Sequence, residues 1–222
     1  MPSVLPPATA PNTMTFRSYY AGFFVRPSRT AAELVGDPRR VRLGFFAFLV
    51  PLLGYVIVYV GLSQSGAYPS TFAPWIAIEA EHYYRYNLFL LPPSMLAGWL
   101  LASAVVQLVG RFVGARGSFE DTVSVLGFAA SVAHWSLLPH DVIVAVLGAT
   151  HVIDGRAHEH AMNAPTVART LLWVFMAIYA VAFPVLFTAA LRGAHRVKTP
   201  AAALLGCVGF VVYQLVFVTF NR

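Results

Sequence analysis

The residues best suited to chemistry are two histidines and an aspartate inside one apolar run. The stretch GSFEDTVSVLGFAASVAHWSLLPHD, residues 117–141, carries His134, His140 and Asp141 among hydrophobic residues. Ionisable groups are expensive inside a membrane and often mark a path for protons or ions. An imidazole with a carboxylate can relay a proton or bind a cation. These three residues are therefore a candidate polar intramembrane site.

The depth of these groups decides between such a site and a packing role. His134 and Asp141 are seven residues apart, which places them near one face of a regular helix, although Pro139 interrupts that regularity. At about 1.5 Å per residue from Ser118, His134 lies roughly 24 Å along the helix and Asp141 roughly 35 Å. Asp141 would then reach the far headgroup layer, so interfacial or packing roles are the alternative.

The connection HVIDGRAHEH, residues 151–160, suggests a second kind of site. Its imidazoles and carboxylates could bind Zn²⁺ or Cu²⁺, with His82 and Glu79 of the preceding outer connection as further ligands. His158 and His160 lack the four-residue spacing of the HExxH helix, so we expect a solvated loop and no metal. The chain also has no Gly-x-Ser-x-Gly elbow and no phosphate-binding loop. We therefore predict a protein that is not an enzyme, with no catalytic residues and no cofactor.

Two places carry the signature of a helix start. Ser118 and Asp121 have the spacing of a capping box, which predicts a helix beginning at GSFED without any ligand. Thr30 and Glu33 have the same spacing. That pattern predicts a short helix restarting at Thr30, beyond a break at Pro27.

Composition places the chain among membrane proteins. Of its 222 residues 58% are hydrophobic and 11% are charged, whereas a soluble domain has about 25% charged residues. The net charge of +6 does not indicate nucleic acid, because Lys and Arg lie between hydrophobic runs and form no stripe with aromatics. The one cysteine, Cys207, can form no intramolecular disulfide, and we expect it to pack inside the protein as a small residue.

Five hydrophobic runs are long enough to cross a membrane. A helix needs about 20 residues to span a core about 30 Å thick, and lipid offers the backbone no hydrogen-bond partners. We therefore predict an all-α polytopic membrane protein, a bundle of five transmembrane helices at 43–222. The predicted spans are residues 43–62, 87–110, 122–148, 169–191 and 201–220. Before them we expect a disordered Pro-rich tail at 1–13 and a cytoplasmic, interfacial helical segment at 14–42, where aromatics alternate with arginines.

Prolines, small residues and glutamines inside the runs indicate how the helices pack. The internal prolines, expected to kink four spans, are Pro51, Pro92, Pro93, Pro139 and Pro184. Small residues at four-residue spacing, such as Gly127 with Ser131, predict close helix crossings. Gln107 and Gln214 are placed to hydrogen-bond between helices.

The positive residues predict how the chain lies in the membrane. Residues 1–42 hold six of them, the connection 111–121 two and the connection 192–199 three, so eleven of fifteen lie on one side. Because positive residues favour the cytoplasm, we expect the N-terminus inside and the C-terminus outside.

Three stretches, in this order, resemble the Yip family, the Ypt/Rab-interacting five-span membrane proteins that also have bacterial members. Residues 23–40, FFVRPSRTAAELVGDPRR, resemble its N-terminal segment, in which a proline precedes a short helix. Residues 110–131, GRFVGARGSFEDTVSVLGFAAS, resemble its central pattern of a Gly-rich turn, an aromatic, an acidic pair and Gly-aromatic-Ala. Residues 190–206, ALRGAHRVKTPAAALLG, resemble the basic link between its last two spans. The family's proline soon after Gly-aromatic-Ala is absent here, and the first proline is Pro139.

The resemblance implies a five-helix integral membrane protein with no catalytic residues to transfer. Its eukaryotic relatives are associated with small GTPases and with membrane trafficking or shaping. We therefore expect a non-enzymatic protein of a bacterial inner membrane that acts in membrane organisation or trafficking through lipids or a protein partner. Nucleic acid is not an expected partner, and oligomerisation is left open. The alternative is a small transporter or ion-coupled permease, which requires His134, His140 and Asp141 to face one cavity with Gln107 or Gln214.

Overall fold

The chain folds into helices throughout the residues that its structure, a computed structural model, describes: 14–67, 75–76 and 78–221. The α-helices are α1 (Phe16–Val25), α2 (Pro27–Val35), α3 (Arg40–Gln64), α4 (Tyr83–Phe112), α5 (Phe119–His134), α6 (Leu138–Ala149), α7 (Gly155–Asn163), α8 (Val167–His195) and α9 (Thr199–Phe220). A 3-10 turn at Ala80–His82 precedes α4. No strand occurs in the described ranges, so the all-α prediction is confirmed. The tail predicted at 1–13 lies outside them.

Among the described residues, four helices, α3, α4, α8 and α9, are long and apolar enough to cross a membrane. α5 and α6 pass the same test together, as one span bent by 53°. The prediction of a polytopic helical membrane protein is therefore confirmed. The expectation that Cys207 packs inside is wrong, because it is exposed on α9. Cys207 does not lie on the buried face of that helix, which includes Gly206, Gly209 and Tyr213.

The third predicted span consists of two helices. α5 ends at His134, turns follow at 135–137, and α6 begins at Leu138 with Pro139 in its first turn. Proline is tolerated there because the first amides of a helix have no carbonyl partner within it. The prediction that Pro139 lies inside a helix is thus wrong, because Pro139 lies in the first turn of α6. His134 and Asp141 consequently lie on two helices with different axes. Pro51, Pro92, Pro93 and Pro184 do lie inside helices.

The first N-terminal helix is built into the core of the bundle. Tyr19 and Phe23 of α1 are buried, and Phe23 stacks on Phe128 of α5 with ring centroids 4.9 Å apart. The Tyr20 hydroxyl lies 2.8 Å from Ser131 Oγ of α5. Burying two large aromatic side chains stabilises the contact by roughly 1.5–3 kcal/mol each.

The second N-terminal helix packs on α8, with Ala31 and Leu34 fully buried. It begins at Pro27, where proline suits the first turn. Thr30 lies inside it and donates its hydroxyl to the Arg26 carbonyl at 3.1 Å. The helix start predicted at Thr30 is therefore wrong, because proline sets the start three residues earlier.

Glycines let helix backbones touch at two crossings. A Cβ on Gly127 of α5 would lie 2.9 Å from the carbonyl carbon of Gly44 on α3, closer than real Cβ atoms come. A Cβ on Gly193 of α8 would lie 2.8 Å from the carbonyl carbon of Ser28 on α2. The close crossing predicted around Gly127 is confirmed, and the Gly193 contact fixes α2 against the bundle.

Residues 14–42, 111–121 and 192–199 meet at one end of the bundle, which we call the basic end. Arg40 at the start of α3 forms ion pairs with Glu120 and with Asp121 at the start of α5, each with a closest N–O distance of 2.7 Å. Ser118 Oγ accepts from the Asp121 amide at 3.1 Å, and Asp121 Oδ2 accepts from the Ser118 amide at 2.8 Å. The predicted capping box is therefore confirmed. It also holds the Asp121 carboxylate in place for its ion pair with Arg40 of α3.

A closed ring of hydrogen bonds joins α4, α5 and α8 at the same end. The Gly117 amide donates to His195 Nδ1 at 3.1 Å, so the proton of a neutral imidazole lies on Nε2, 3.0 Å from Thr122 Oγ1. Thr122 donates to Gln107 Oε1 at 2.7 Å, and Gln107 Nε2 donates to the Gly117 carbonyl at 2.9 Å. The predicted role of Gln107 between helices is confirmed. The ring also satisfies both backbone groups of Gly117.

Candidate functional site

A cavity of about 420 Å³ lies in the half of the bundle away from the basic end, and we call it the distal cavity. Residues of α3, α6, α7, α8 and α9 form most of its wall, together with Tyr84 of α4 and Trp75. Most lining residues are apolar or aromatic. Besides the tyrosines, the polar lining residues are His140, Asp141, His158, Glu159, Gln214 and Asn221. A small-molecule site typically has this size and this mixture of side chains.

The first turn of α6 brings two of the predicted site residues to the distal cavity. The side chains of His140 and Asp141 are 15% and 23% exposed, and His140 Nδ1 lies 3.0 Å from Asp141 Oδ1. Gln214 of α9 lines the same cavity and donates to the Tyr179 hydroxyl at 2.7 Å. The structure therefore brings His140, Asp141 and Gln214 around one cavity, whereas Gln107 lies at the basic end.

His134 lies behind the cavity wall and does not line it. Its side chain is fully buried, with Nε2 2.9 Å from the Tyr213 hydroxyl. Its ring packs edge-on against Tyr55 at 5.3 Å and Phe183 at 5.0 Å between centroids. Tyr55 and Tyr179 both pack against His134 and both line the cavity, so aromatic rings separate His134 from it. In this arrangement His134 packs the core and supports Tyr55.

The acidic residue Glu159 belongs to the cavity although the sequence reading placed it in a solvated loop. Residues 155–163 form α7, capped by Asp154, whose side chain accepts from the Ala157 amide at 2.9 Å. Glu159 is only 5% exposed, and the Tyr84 hydroxyl donates to its Oε1 at 3.1 Å. The solvated-loop interpretation is wrong for this residue, because the Asp154 cap starts a helix that turns Glu159 inward.

The end of α9 adds a buried amide to the cavity wall. Asn221 is fully buried and donates Nδ2 to Ser94 Oγ of α4 at 2.8 Å. No described residue reaches its Oδ1 as a hydrogen-bond donor. A buried acceptor without a donor costs about 1–3 kcal/mol.

The outer histidines do not converge in the part of the chain that the structure describes. His82 Nδ1 lies 3.3 Å from Glu79 Oε2, within one local turn. Among the described residues, no three His, Cys, Asp or Glu side chains are grouped as a metal site would require. The arrangement of these residues therefore adds no support to the metal hypothesis.

The outward face of α1 and α2 combines apolar and positive side chains. Phe24 is 50% exposed and Val25 80% exposed, beside exposed Arg17, Arg26 and Arg29. Aromatics with arginines at one level are typical of the lipid headgroup layer. We call these five residues the basic face.

A buried carboxylate holds the N-terminal helices to α3. Asp37 accepts from the Arg39 side chain at 2.9 and 3.1 Å, from the Arg39 amide at 2.8 Å, and from the Tyr19 hydroxyl at 3.3 Å. The hydrogen bonds from the Arg39 side chain are the main reason that the pKa of Asp37 lies below its usual value. Burial raises the pKa of Tyr19, and the neighbouring Asp37 charge raises it further. This junction fixes the basic face relative to the membrane helices.

Comparison with known proteins identifies a family. The family model described as the Yip1 domain matches residues 21–220. No curated protein and no solved structure matches the chain. The match begins within α1 and runs to the end of α9, and thus includes the second half of α1 and all of α2 with the membrane helices. This chain is therefore a member of the Yip1-domain family, a multi-pass integral membrane protein of the Yip type.

Proposed function

We propose that this protein is non-enzymatic and acts in membrane organisation, by holding anionic lipids of the cytoplasmic leaflet at its basic end. The observation that carries this proposal is the packing of α1 and α2 onto α5 and α8. Because Phe23 and Leu34 are fully buried there, the two helices present a fixed outer face. That face is the basic face, with its three arginines beside Phe24 and Val25.

The chemistry of the basic face supports an anionic lipid as its partner. Each Lys or Arg near an anionic leaflet contributes about 1 kcal/mol of attraction. The exposed Phe24 and Val25 suit the boundary between headgroups and acyl chains. Phe112, 90% exposed beside Arg111, repeats the pairing at the end of α4.

The distribution of charge supports the orientation in this proposal. Eleven of the fifteen Lys and Arg residues belong to the basic end, which favours the cytoplasmic side. The N-terminus would then be cytoplasmic and the C-terminus outside. The location of the protein in a bacterial inner membrane stays a prediction from the family resemblance.

Transport through the third span is the alternative function. His140, Asp141 and Gln214 around one cavity favour it, since they supply the polar site that it requires. The packing next to the cavity speaks against a continuous path, because Phe183 and Tyr213, one turn or less along α8 and α9 from the lining residues Tyr179 and Gln214, are fully buried and stack with ring centroids 5.3 Å apart. In this conformation the cavity is better suited to binding than to passage.

The proposal is tested by neutralising the basic face. The protein is reconstituted with phosphatidylglycerol and phosphatidylcholine, and bound lipid is counted by native mass spectrometry. Replacing Arg17, Arg26 and Arg29 by Gln should lower the preference for phosphatidylglycerol at least fivefold, since three charges are worth up to about 3 kcal/mol. The matched control replaces Arg85 of α4, Arg156 of α7 and Arg169 of α8, each near the start of its helix at the other end of the bundle. An equal loss in both variants would refute lipid capture by the basic face.

The same variants test for a protein partner. Affinity purification from native membranes, with mass spectrometry of what co-purifies, should recover anionic lipid with the wild-type chain. Another result is also informative: a protein co-purifies stoichiometrically with the wild-type chain and is lost from the arginine variant, while the bound lipid is unchanged. In that case the partner of the basic face is that protein and not the lipid. Point variants are preferable to deleting α1 and α2, because the deletion would expose Phe128 and disturb the core.

A further inference from the structure

The distal cavity is elongated along three membrane helices. Its lining residues fall within 55–62 of α3, 172–179 of α8 and 214–221 of α9. Each of these stretches covers about two helical turns, which is about 10 Å of helix axis at about 1.5 Å per residue. The cavity therefore suits a molecule that is longer than it is wide.

The middle of the cavity is apolar. Val58, Val144, Met176 and Phe217 line it from four different helices. Methionine side chains adapt to irregular shapes, so this wall can follow the outline of a chain or of a ring. The volume of about 420 Å³ lies within the range of pockets that enclose most of a small molecule. The body of a bound molecule should therefore be apolar.

The ionisable groups of the wall already interact with other protein groups. His140 Nδ1 lies 3.0 Å from Asp141 Oδ1, and the Tyr84 hydroxyl donates to Glu159 Oε1 at 3.1 Å. None of the described lining residues is Lys or Arg. A charged ligand would lose its hydration in this mostly apolar space and would have to displace these contacts to gain a counter-ion. The wall therefore favours a neutral ligand.

Two neutral polar atoms face the cavity at its end nearer to the basic end: the Tyr55 hydroxyl and Gln214 Oε1. Gln214 donates its Nε2 to the Tyr179 hydroxyl at 2.7 Å, which leaves the carbonyl oxygen of the same amide. Neither the Tyr55 hydroxyl nor Gln214 Oε1 has a hydrogen-bond partner among the described residues, and both retain accessible surface. The rings of Tyr55 and Tyr179 both pack against His134, with centroids 5.3 and 5.7 Å from it, so the two polar atoms lie at the same end.

These two atoms select the polar group of the ligand. The Tyr55 hydroxyl can donate, whereas the carbonyl oxygen of Gln214 can only accept. A hydroxyl group both accepts and donates, so one hydroxyl can serve both atoms. An ether or a ketone can only accept, and a hydrocarbon does neither, so each would leave at least one of these polar atoms without a partner.

We propose that the distal cavity binds an apolar alcohol. Its hydroxyl accepts from Tyr55 and donates to Gln214, and its apolar body extends along Val144 and Met176 away from the basic end. The site is independent of the basic face, which lies at the opposite end of the bundle.

The test uses the full chain in nanodiscs of phosphatidylglycerol, with radiolabelled 4-phenylbutan-1-ol as the probe. We expect saturable binding above the non-saturable uptake of the probe by lipid. The methyl ether of the same alcohol should compete at least tenfold more weakly, because it accepts but does not donate. The charged analogue 4-phenylbutylammonium should also compete at least tenfold more weakly. Equal competition by either analogue, or no saturable binding of the alcohol, would overturn the proposal.

Variants locate the hydroxyl within the cavity. Tyr55→Phe removes one oxygen and should weaken binding of the alcohol about tenfold, which corresponds to about 1.4 kcal/mol. Gln214→Leu removes the acceptor, so the alcohol and its methyl ether should then bind equally. Val144→Trp fills the cavity and should abolish binding. The matched control is Tyr86→Phe on α4, whose exposed side chain does not line the cavity and which should leave binding unchanged.

Gel filtration and the thermal midpoint show which variants are folded. Wild-type affinity in folded Tyr55→Phe would overturn the proposal, and so would a retained preference for the alcohol over its ether in folded Gln214→Leu. Tyr55→Phe decides by itself if Gln214→Leu does not fold, because it keeps the ring that packs against His134. Neither Tyr55→Phe nor Val144→Trp should change the phosphatidylglycerol preference of the basic face, so the two proposals can fail separately.

Discussion

Replacing Thr122 by Val should destabilise the protein, although the two side chains have nearly the same volume. Thr122 is fully buried at the basic end, where its hydroxyl accepts from His195 Nε2 and donates to Gln107. Valine keeps the shape and removes both bonds. The change therefore isolates the hydrogen-bond ring from packing.

The expected magnitude follows from the groups left behind. The variant leaves the His195 N–H and the Gln107 carbonyl oxygen without this partner, and each buried unsatisfied group costs about 1–3 kcal/mol. The two costs are not independent, because both side chains relax into the same space. We expect a loss of about 2–4 kcal/mol in the free energy of unfolding.

The assay is reversible unfolding in mixed micelles with increasing SDS, followed by tryptophan fluorescence. The matched control is Thr170→Val on α8, whose exposed hydroxyl donates to the Thr166 carbonyl, one turn earlier, at 3.1 Å. The control should change stability by less than about 0.5 kcal/mol. A double-mutant cycle with Gln107→Leu should give a coupling energy of about 0.5–3 kcal/mol. Equal stability of Thr122→Val and Thr170→Val would refute the ring as a stabilising element.

Two further predictions concern the N-terminal helices and the orientation. Asp37 has a lowered pKa, so its contribution is complete above the unfolded value of 3.8 and is lost as pH falls through the folded value. Relative to the intrinsic exchange rate at each pH, hydrogen exchange of α1 should therefore become faster as the pH drops below about 4. On the same scale Asp37→Asn should exchange faster at neutral pH with little further change at low pH; the same acid response in both chains would contradict this. In a Cys207→Ala background, an impermeant maleimide on intact cells should label Arg156→Cys and spare Ala32→Cys, and the reverse pattern would invert the proposed orientation.

The membrane helices could be predicted from sequence because hydropathy and span length are local properties. Each predicted run falls within a helix or within the bent pair of α5 and α6. The capping box at Ser118 and Asp121 was equally predictable, since all its atoms lie within one turn. The break at 135–137 was harder, because Pro139 is compatible with a kink inside a helix or with the first turn of a new one.

The candidate sites depended on contacts that lie far apart along the chain. Tyr19 and Phe23 are four residues apart, as a buried helix face requires, but aromatics beside arginines suit a lipid surface equally well. Glu159 is buried because Asp154 caps α7 and because Tyr84, 75 residues earlier, reaches its carboxylate. No local sequence pattern encodes a contact between residues so far apart. His140 and Asp141 could therefore be identified from the sequence, whereas Glu159 and Tyr84, which line the same cavity, could not.

The burial of α5 has a consequence for how the protein is made. Every residue of α5 from Asp121 to His134 is buried, so in the finished protein this stretch contacts other helices and not lipid. Synthesis proceeds from the N-terminus, and α5 therefore emerges before α8 and α9, which provide part of its surroundings. Until they arrive, Thr122 and His134, whose partners His195 and Tyr213 lie on α8 and α9, must be accommodated by lipid or by the insertion machinery. The central helix of the bundle thus reaches its final environment only after α8 and α9 have been made, and faults in these later helices should show as a failure to retain α5.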